Sequence, residues 1–197
     1  MGADAGRRSA GAAAPGRVAA QPRPGAYALL LALPEPRTLT VGRLGTSCFP
    51  AGFYLYLGSA LGPGGLSSRL ARHCRVKKKQ HWHIDYLRSL ACLEQIWVRI
   101  TKERVECDWA AAAGALPGAG IPAPRFGASD CRCPAHLFHY PVRPDVNAFA
   151  ALAGIDLHRL RVPACGGNDL RELTTRGLLI REGAGRATRY RLEESGG

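Results

Sequence analysis

The sequence predicts an α/β chain of the α+β type, in which a small, mainly antiparallel sheet is flanked by helices. Three observations support this fold class. Short strand-like runs crowd residues 26–57, helical segments separate the later strands, and Gly- and Pro-rich turns punctuate both. With 46% hydrophobic residues among 197, the chain can also bury a substantial core.

Three strands are expected before residue 60. Residues 26–33 form an apolar run typical of a buried strand, and the sequence P-E-P breaks it. Residues 38–44 alternate well enough for a second strand, and residues 45–52 form a turn region. The aromatic-rich residues 53–57 form a third strand. Together these segments predict a meander or hairpin.

Two helices are expected next, after the turn sequence G-P-G-G. The first covers residues 66–76, and its inward positions are Leu66, Leu70 and Cys74. The second covers residues 81–91, where an i, i+4, i+8 spacing predicts one apolar stripe. The members of this stripe are Trp82, Tyr86 and Leu90.

A strand over residues 93–101 and an Ala-rich helix over residues 103–116 complete the regular pattern. A Gly/Pro loop follows and ends near residue 124. Residues 125–140 are dense in reactive side chains and end in a further candidate strand.

The chain divides into four segments at its changes of composition. We expect a disordered basic tail over residues 1–23, a main domain over residues 24–140 and a weakly patterned connector over residues 141–164. Residues 165–197 resemble the helix and hairpin that end a winged-helix domain. In this fragment Arg186 and Arg189 would lie near the wing tip, where an auxiliary DNA clamp and a packing hairpin are equally good interpretations.

Charge points to a polyanionic partner. The formal net charge is +12, and no acidic residue occurs between Pro36 and Ile84. A surface of one sign suits phosphate backbones, although a solvated cationic face without a partner is the alternative. The basic residues of this stretch are Arg37, Arg43, Arg69, Arg72, Arg75, Lys77, Lys78 and Lys79.

The sequence offers no signal for export or membrane insertion. It has neither an apolar run of about 20 residues nor the h-region of a secretory signal. Seven cysteines at irregular spacing, without an export signal, indicate a reducing compartment in which disulfides are not expected. We therefore expect a cytoplasmic protein.

The candidate chemistry lies in an ordered set of short motifs. G-A-Y ends at Tyr27, Y-L-G begins at Tyr56, and a basic helix then carries Arg69 and His73 at i and i+4. Because residues four apart share a helix face, Arg69 and His73 can point at one phosphate. Singly, each tyrosine would be interpreted as a half-buried strand aromatic. Phosphodiester hydrolysis needs a proton acceptor for water and neutralisation of the charge that builds on the phosphate, and Tyr, Arg, His and a metal-bound carboxylate can supply these.

These motifs resemble those of the GIY-YIG nucleases, and residues 24–140 are most similar to the Uri-type endonuclease branch found in prokaryotes. Shared strings are Y-x-Y-x-G-S-A, G-P-G-G, H-W-H-I-D-Y-L and G-A-S-D-C-x-C-x-x-H-L. The resemblance implies a metal-dependent DNA endonuclease, associated with the nucleoid and acting in DNA repair or processing. It also implies that Tyr56 or Tyr27 helps to activate water, with His73 as partner or alternate base, and that Arg69 neutralises phosphate charge.

By the same resemblance, one Mg²⁺ or Mn²⁺ would be held by Glu106, with Glu103 and Asp85 as alternatives. The family's usual supporting Asn has no counterpart here, and Ser129 or Asp130 could substitute for it. A non-catalytic DNA-binding or repair-accessory module is the rival function. The expected DNA-binding residues are Arg72, Arg75, Lys77, Lys78, Lys79, His81, His83, Arg186 and Arg189.

A second group of metal-ligand types follows in the C-x-C-x-x-H sequence. Cys131, Cys133 and His136, with Cys107 upstream, have the side chains that bind zinc, although C-x-C is tighter than the usual spacing. The alternative is a set of packed thiols with a surface histidine. A zinc-stabilised regulator is a third function consistent with this group.

Overall fold

The computed structural model describes residues 23–75, 78–161, 179–182 and 189–192. It confirms an α+β fold built on an antiparallel sheet. Five strands lie in the spatial order β6-β4-β1-β5-β7, and every neighbouring pair is antiparallel. Their bounds are β1 Gly25–Leu33, β4 Gly52–Ser59, β5 Cys92–Ile100, β6 Leu137–Tyr140 and β7 His158–Arg161.

The central strand β1 is buried on both faces. Tyr27, Leu29 and Leu31 point to one side, and Ala28 and Leu30 point to the other, as the two-residue period of a strand requires. A nearly continuous apolar run is therefore what this position in the sheet demands. The two sets of side chains belong to two separate hydrophobic cores, one on each face of the sheet.

Helices cover both faces, so the domain has three layers. On the side of Tyr27, α1 (Gly65–Cys74) and α2 (His83–Arg88) bury the side chains of Leu66, Leu70, Ile84 and Leu87. On the opposite side, α3 (Glu106–Ala115) and α4 (Val146–Ala153) pack through Trp109 and Phe149 against Trp97 of the sheet. None of the helices in the described segments is long and apolar enough to cross a membrane.

Between β1 and β4 the second strand is shorter than predicted. The strand β2 covers only Arg37–Thr40, and a turn of 3-10 helix at Gly42–Leu44 replaces the rest of the expected second strand. The expected turn region contains a strand, β3 at Thr46–Phe49, which pairs with β2. Gly42 and Gly45 adopt positive φ values, and this allows the tight reversal.

The second helix turns a different face inward than its spacing predicts. Trp82 precedes the helix, Tyr86 is half-buried and Leu90 is exposed, whereas Ile84 and Leu87 are fully buried. The predicted stripe was wrong because the helix is only six residues long, so its packing is decided by the neighbouring α1 and not by its own period.

The segment expected as a connector carries two further elements of the domain. Its helix α4 packs on α3 through Phe149, and β7 pairs with β5 at the edge of the sheet. The helix has a local basis that the composition concealed. Asp145 caps its first turn by accepting a hydrogen bond from the Asn147 backbone N–H, and Gly154 ends it in a left-handed conformation.

The C-terminal hairpin is present as predicted. Strands β8 (Leu179–Glu182) and β9 (Arg189–Leu192) pair antiparallel in a separate two-stranded sheet. Arg189 opens β9. The expected helix before this hairpin, Arg186, Lys77 and the tail over residues 1–22 lie outside the described residues.

The glycine of the Y-L-G motif makes room for the tyrosine of the G-A-Y motif. Gly58 and Tyr27 are directly opposite on β4 and β1. A Cβ atom at position 58 would lie 2.5 Å from the Tyr27 Oη atom, far inside van der Waals contact. The bare backbone of Gly58 therefore allows the phenol ring to lie flat across the neighbouring strand.

We predict that Gly58→Ala displaces the Tyr27 ring and lowers the free energy of unfolding by about 1–3 kcal/mol, the usual cost of overpacking a core. Gly62→Ala is the matched control, because a Cβ atom there would meet nothing within 4 Å. Urea denaturation of both variants measures the difference. Equal stability of the two variants would contradict the close approach of Tyr27 to Gly58.

Candidate active site

A buried tyrosine–histidine pair lies at the start of the central strand. Tyr27 of β1 and His73 in the last turn of α1 are joined by a hydrogen bond of 2.8 Å between Oη and Nε2. Burial raises the pKa of Tyr27 well above its usual value and lowers the pKa of His73 well below its usual value. Both groups are therefore neutral at pH 7, and the histidine is able to accept a proton.

His73 differs from its predicted placement beside a phosphate. The side chain has no exposed surface, and the rings of Tyr27, Tyr56 and Trp82 surround it at centroid distances of 5.2, 6.2 and 5.5 Å. Although Arg69 and His73 are one turn apart on α1, Arg69 is half-exposed and His73 is buried.

The second tyrosine lies beside the pair on the next strand. Tyr56 of β4 is 9% exposed, and its ring packs edge-on against Phe126 at 6.3 Å. Burial raises its pKa to about 12, against the opposing effect of the Arg69 charge. Tyr56 is thus a neutral phenol at pH 7. A tight loop at Gly127, with positive φ, approaches its ring.

Arg69 provides the positive charge of the site. It is half-exposed on α1, and its charge lowers the pKa values of Tyr27, Tyr56 and His73. Its guanidinium carbon lies 4.3 Å from the ring centre of Trp82. The string H-W-H-I-D-Y-L contains Trp82, but the sequence pattern predicted only a packing role for it.

Glu106 opens α3 on the other side of the sheet and still reaches this end of the domain. Its charge raises the pKa values of both Tyr27 and His136. Its Oε2 atom is buried and has no hydrogen-bond partner among the described residues. Glu103, the first alternative, is exposed in the preceding loop. Of the two suggested substitutes for the family Asn, the exposed Asp130 acts electrostatically on Tyr56.

Asp85 is not a free metal ligand, which corrects the second alternative. Its carboxylate is buried and forms ion pairs of 2.7 Å with Arg72 and with Lys78. It also accepts hydrogen bonds from the backbone N–H groups of His81 and Trp82. Burial alone would raise the pKa of Asp85, but Lys78 and these N–H groups outweigh it and lower the pKa to about 2. A cation could bind only by displacing these donors.

The expected DNA-binding residues that the structure describes differ in whether their side chains are already engaged. Arg72 and Lys78 are committed to Asp85, and the Lys78 side chain is only 7% exposed. Arg75, Lys79 and His81 are exposed and open to a ligand. His83 is half-buried and accepts a hydrogen bond at Nδ1 from the Gly127 backbone N–H, so it ties α2 to the loop that approaches Tyr56.

A cluster of three cysteines and one histidine lies beside Glu106. Cys131, Cys133 and His136, which the sequence grouped together, are joined by Cys107 of α3. Their ligand atoms all lie within 4.8 Å of one another, and Cys131 Sγ is 3.4 Å from His136 Nε2. The cluster could therefore bind a metal ion. The sequence also suggested Cys107 for this group, and the fold brings it to the other three although 23 residues lie between it and Cys131.

The remaining described cysteines are not part of this cluster. Cys48 is exposed and Cys74 is buried, and both are free thiols. Cys92 is disulfide-bonded, which contradicts the expectation that the chain forms no disulfides.

The family assignment follows from a match that covers both layers of helices. The family model described as domain of unknown function DUF123 matches residues 26–157. The chain belongs to this family. The matched range contains the strands from the second residue of β1 to β6, the four helices of the described residues, and the side chains of the site and the cluster, so the DUF123 domain extends through α4. Neither a curated protein nor a solved structure matches the chain.

The buried state of His73 predicts a specific dependence of stability on pH. Because its pKa is lowered on folding, the unfolded chain takes up a proton first as pH falls below about 6.5. The contribution to stability is complete above that pH and is lost as pH falls toward the lowered value. The loss is about 1.4 kcal/mol for each pH unit between the two pKa values.

Thermal unfolding of the wild type and His73→Gln at pH 7.5 and 5.0 tests this prediction. Glutamine can keep a hydrogen bond to Tyr27 and does not titrate, so the variant should lose less stability between the two values. His83 and His136, whose pKa values burial also lowers, contribute equally to both proteins. Parallel losses in the two proteins would mean that His73 is not held neutral.

Proposed function

We propose that this protein is a metal-dependent endonuclease that hydrolyses phosphodiester bonds in DNA. The gathering of Tyr27, Tyr56, Arg69 and His73 from two strands and one helix, with Glu106 within electrostatic reach, carries the proposal. These types match the needs of the reaction, namely a proton acceptor, hydrogen-bond donors, a cation and a carboxylate.

In the proposed reaction a water oxygen bonds to phosphorus while the bond from phosphorus to the leaving oxygen breaks. The attacking water must lose a proton, and Tyr27 with His73 forms a path for it. The Tyr27 oxygen would accept the water proton as its own hydroxyl proton passes to His73 Nε2, 2.8 Å away. His73 can accept because burial keeps it neutral.

Tyr56 and Arg69 would act on the phosphate itself. Burial raises the pKa of both tyrosines, so each is a neutral phenol and a hydrogen-bond donor at pH 7. Arg69 can donate to non-bridging oxygens as negative charge accumulates on them. The 2.8 Å hydrogen bond to His73, through which a proton can leave, favours Tyr27 over Tyr56 as the residue that helps to activate water.

Glu106 is the residue that would hold a divalent cation. Its buried Oε2 atom without a partner among the described residues is an unsatisfied acceptor, which a hard cation or its bound water would satisfy. A Mg²⁺ or Mn²⁺ ion supplies Lewis-acid stabilisation of a phosphoryl oxygen and acidifies bound water. Asp130, on the exposed loop near Tyr56, is suited to support that ion through water.

The exposed basic side chains would track the DNA backbone. Arg75, Lys79 and His81 lie between α1 and α2, and the net charge of +12 favours any polyanion. The role that we propose is the processing of structured or damaged DNA, in association with the prokaryotic nucleoid. A DNA-binding module without catalysis is the rival, and it would use the same basic surface.

We predict that Glu106→Gln reduces nicking of supercoiled plasmid in Mg²⁺ or Mn²⁺ by at least about 100-fold, because the metal loses its charged ligand. DNA affinity in a gel shift should change little. Glu103→Gln is the matched control, since it removes one exposed acidic charge three residues away.

The outcomes separate the two functions. Cleavage by the wild type and Glu103→Gln, but not by Glu106→Gln, supports the nuclease and its metal ligand. If no variant cuts plasmid or branched duplexes while all shift DNA in a gel, the binding module is the better description. Full cleavage by Glu106→Gln would assign the metal to another residue.

We further propose that the Cys/His cluster binds Zn²⁺ in a closed structural site. Three thiolates and one imidazole satisfy tetrahedral zinc without leaving a position for water, which distinguishes this site from a catalytic one. The four ligands would join the first turn of α3 to the loop over residues 131–136. Zinc would thus stabilise the loop that approaches Tyr56.

Zinc content gives a direct test of this second site. We expect about one zinc ion per chain in protein purified without chelator, and loss of zinc with a lower Tm in Cys131→Ser. Cys48→Ser is the control, because Cys48 is an exposed thiol outside the cluster. Wild-type protein that is fully folded and free of zinc would refute the proposal.

A further inference from the structure

Arg69 is held in place without using its hydrogen-bond donors. Its guanidinium stacks on the Trp82 ring at 4.3 Å, and no ion pair or hydrogen bond engages its side chain within the described part of the chain. Stacking orients the plane of a guanidinium through its π face and leaves the N–H groups at its edge available. An arginine paired with a carboxylate would have given up those donors.

We propose that Trp82 is the positioning residue for Arg69, and that it fixes the guanidinium where a phosphate would bind. The inference rests on the proposed nuclease function for its effect on cutting, but the stacking itself does not. Trp82 also contacts the buried ring of His73, with centroids 5.5 Å apart. One side chain therefore touches both the cation and the proton acceptor of the site.

A second cation also lies against Trp82. The guanidinium carbon of Arg72 is 4.6 Å from the ring centre. Two positive groups on one ring would repel each other, and the Asp85 carboxylate, 2.7 Å from Arg72, offsets one of them.

Asp85 also fixes the backbone that carries the indole. Its Oδ2 atom accepts hydrogen bonds from the N–H groups of His81 and Trp82 at 3.0 and 3.1 Å. Its other oxygen is 2.7 Å from the Lys78 ammonium. The buried carboxylate thus assigns Arg72 to a supporting role and leaves Arg69 as the cation open to substrate.

A double-mutant cycle on plasmid cleavage tests whether Trp82 acts through Arg69. We expect Trp82→Leu to lower kcat by about 10- to 100-fold, the usual effect of misplacing a catalytic group. KM for DNA should stay within about twofold, since binding in the ground state depends on other cations. Trp82→Phe keeps an aromatic face and should recover most of kcat.

In an Arg69→Ala background, Trp82→Leu should cause little further loss of kcat, because its effect requires the arginine. Additive losses in the double variant would overturn the proposal. So would a Trp82→Leu enzyme with unchanged kcat, or one in which only KM rises. Urea denaturation of each variant identifies any loss that comes from unfolding.

Tryptophan fluorescence tests the stacking independently of nuclease activity. The chain has three tryptophans, and Trp97 and Trp109 are fully buried, so acrylamide quenching reports mainly on Trp82. We expect Arg69→Ala to uncover one face of the ring and raise the quenching constant. Arg75→Ala, which removes an exposed arginine not stacked on Trp82, should leave it unchanged.

The two measurements fail in different ways. If the wild type does not cut DNA but Arg69→Ala still exposes Trp82, the proposed nuclease function is wrong and the stacking is correct. If the wild type cuts DNA and Arg69→Ala leaves quenching unchanged, the positioning role of Trp82 is refuted and the nuclease function stands.

Discussion

A buried tyrosine hydroxyl requires a hydrogen-bond partner, and much of the site follows from how that requirement is met. Tyr27 lies flat over Gly58 on the adjacent strand, and its hydroxyl meets His73 at the end of α1. The hydrogen bond sets where α1 lies along the sheet, because His73 cannot move without leaving two buried polar groups unpaired. Arg69, one turn earlier on the same helix, then lies close enough for its charge to act on Tyr27 and Tyr56.

The electrostatics of the site depend on how its cations are divided. The buried Asp85 carboxylate needs several partners, and Arg69 is not one of them. Asp85 receives Arg72, Lys78 and two backbone N–H groups, which together offset the cost of burying its charge. Arg69 stays outside this network and is held by an aromatic face. A cation that is ordered but unpaired is costly in a folded protein, and it is a useful arrangement for binding an anion.

Two adjacent residues in the first turn of α3 belong to different parts of the site. Glu106 acts electrostatically on Tyr27, while Cys107 joins the cluster with Cys131, Cys133 and His136. Consecutive helical residues point about 100° apart, so one turn can contribute to both without competition. The loop from α3 to β6 connects them again, because Gly127 approaches Tyr56 while the cysteines that follow it return to α3.

The sequence by itself determined the apolar run of β1, the two tyrosine motifs, the basic helix and the C-x-C-x-x-H group. Each of these is a local pattern, because strand alternation, helix spacing and turn residues act over a few neighbours. Only the tertiary structure decided that His73 is buried and that the Asp85 carboxylate is engaged in ion pairs. It also decided that β7 extends the sheet and that Trp82 stacks on Arg69. These outcomes depend on which surfaces meet across the folded domain, and contacts between distant segments leave no fixed spacing in a single chain.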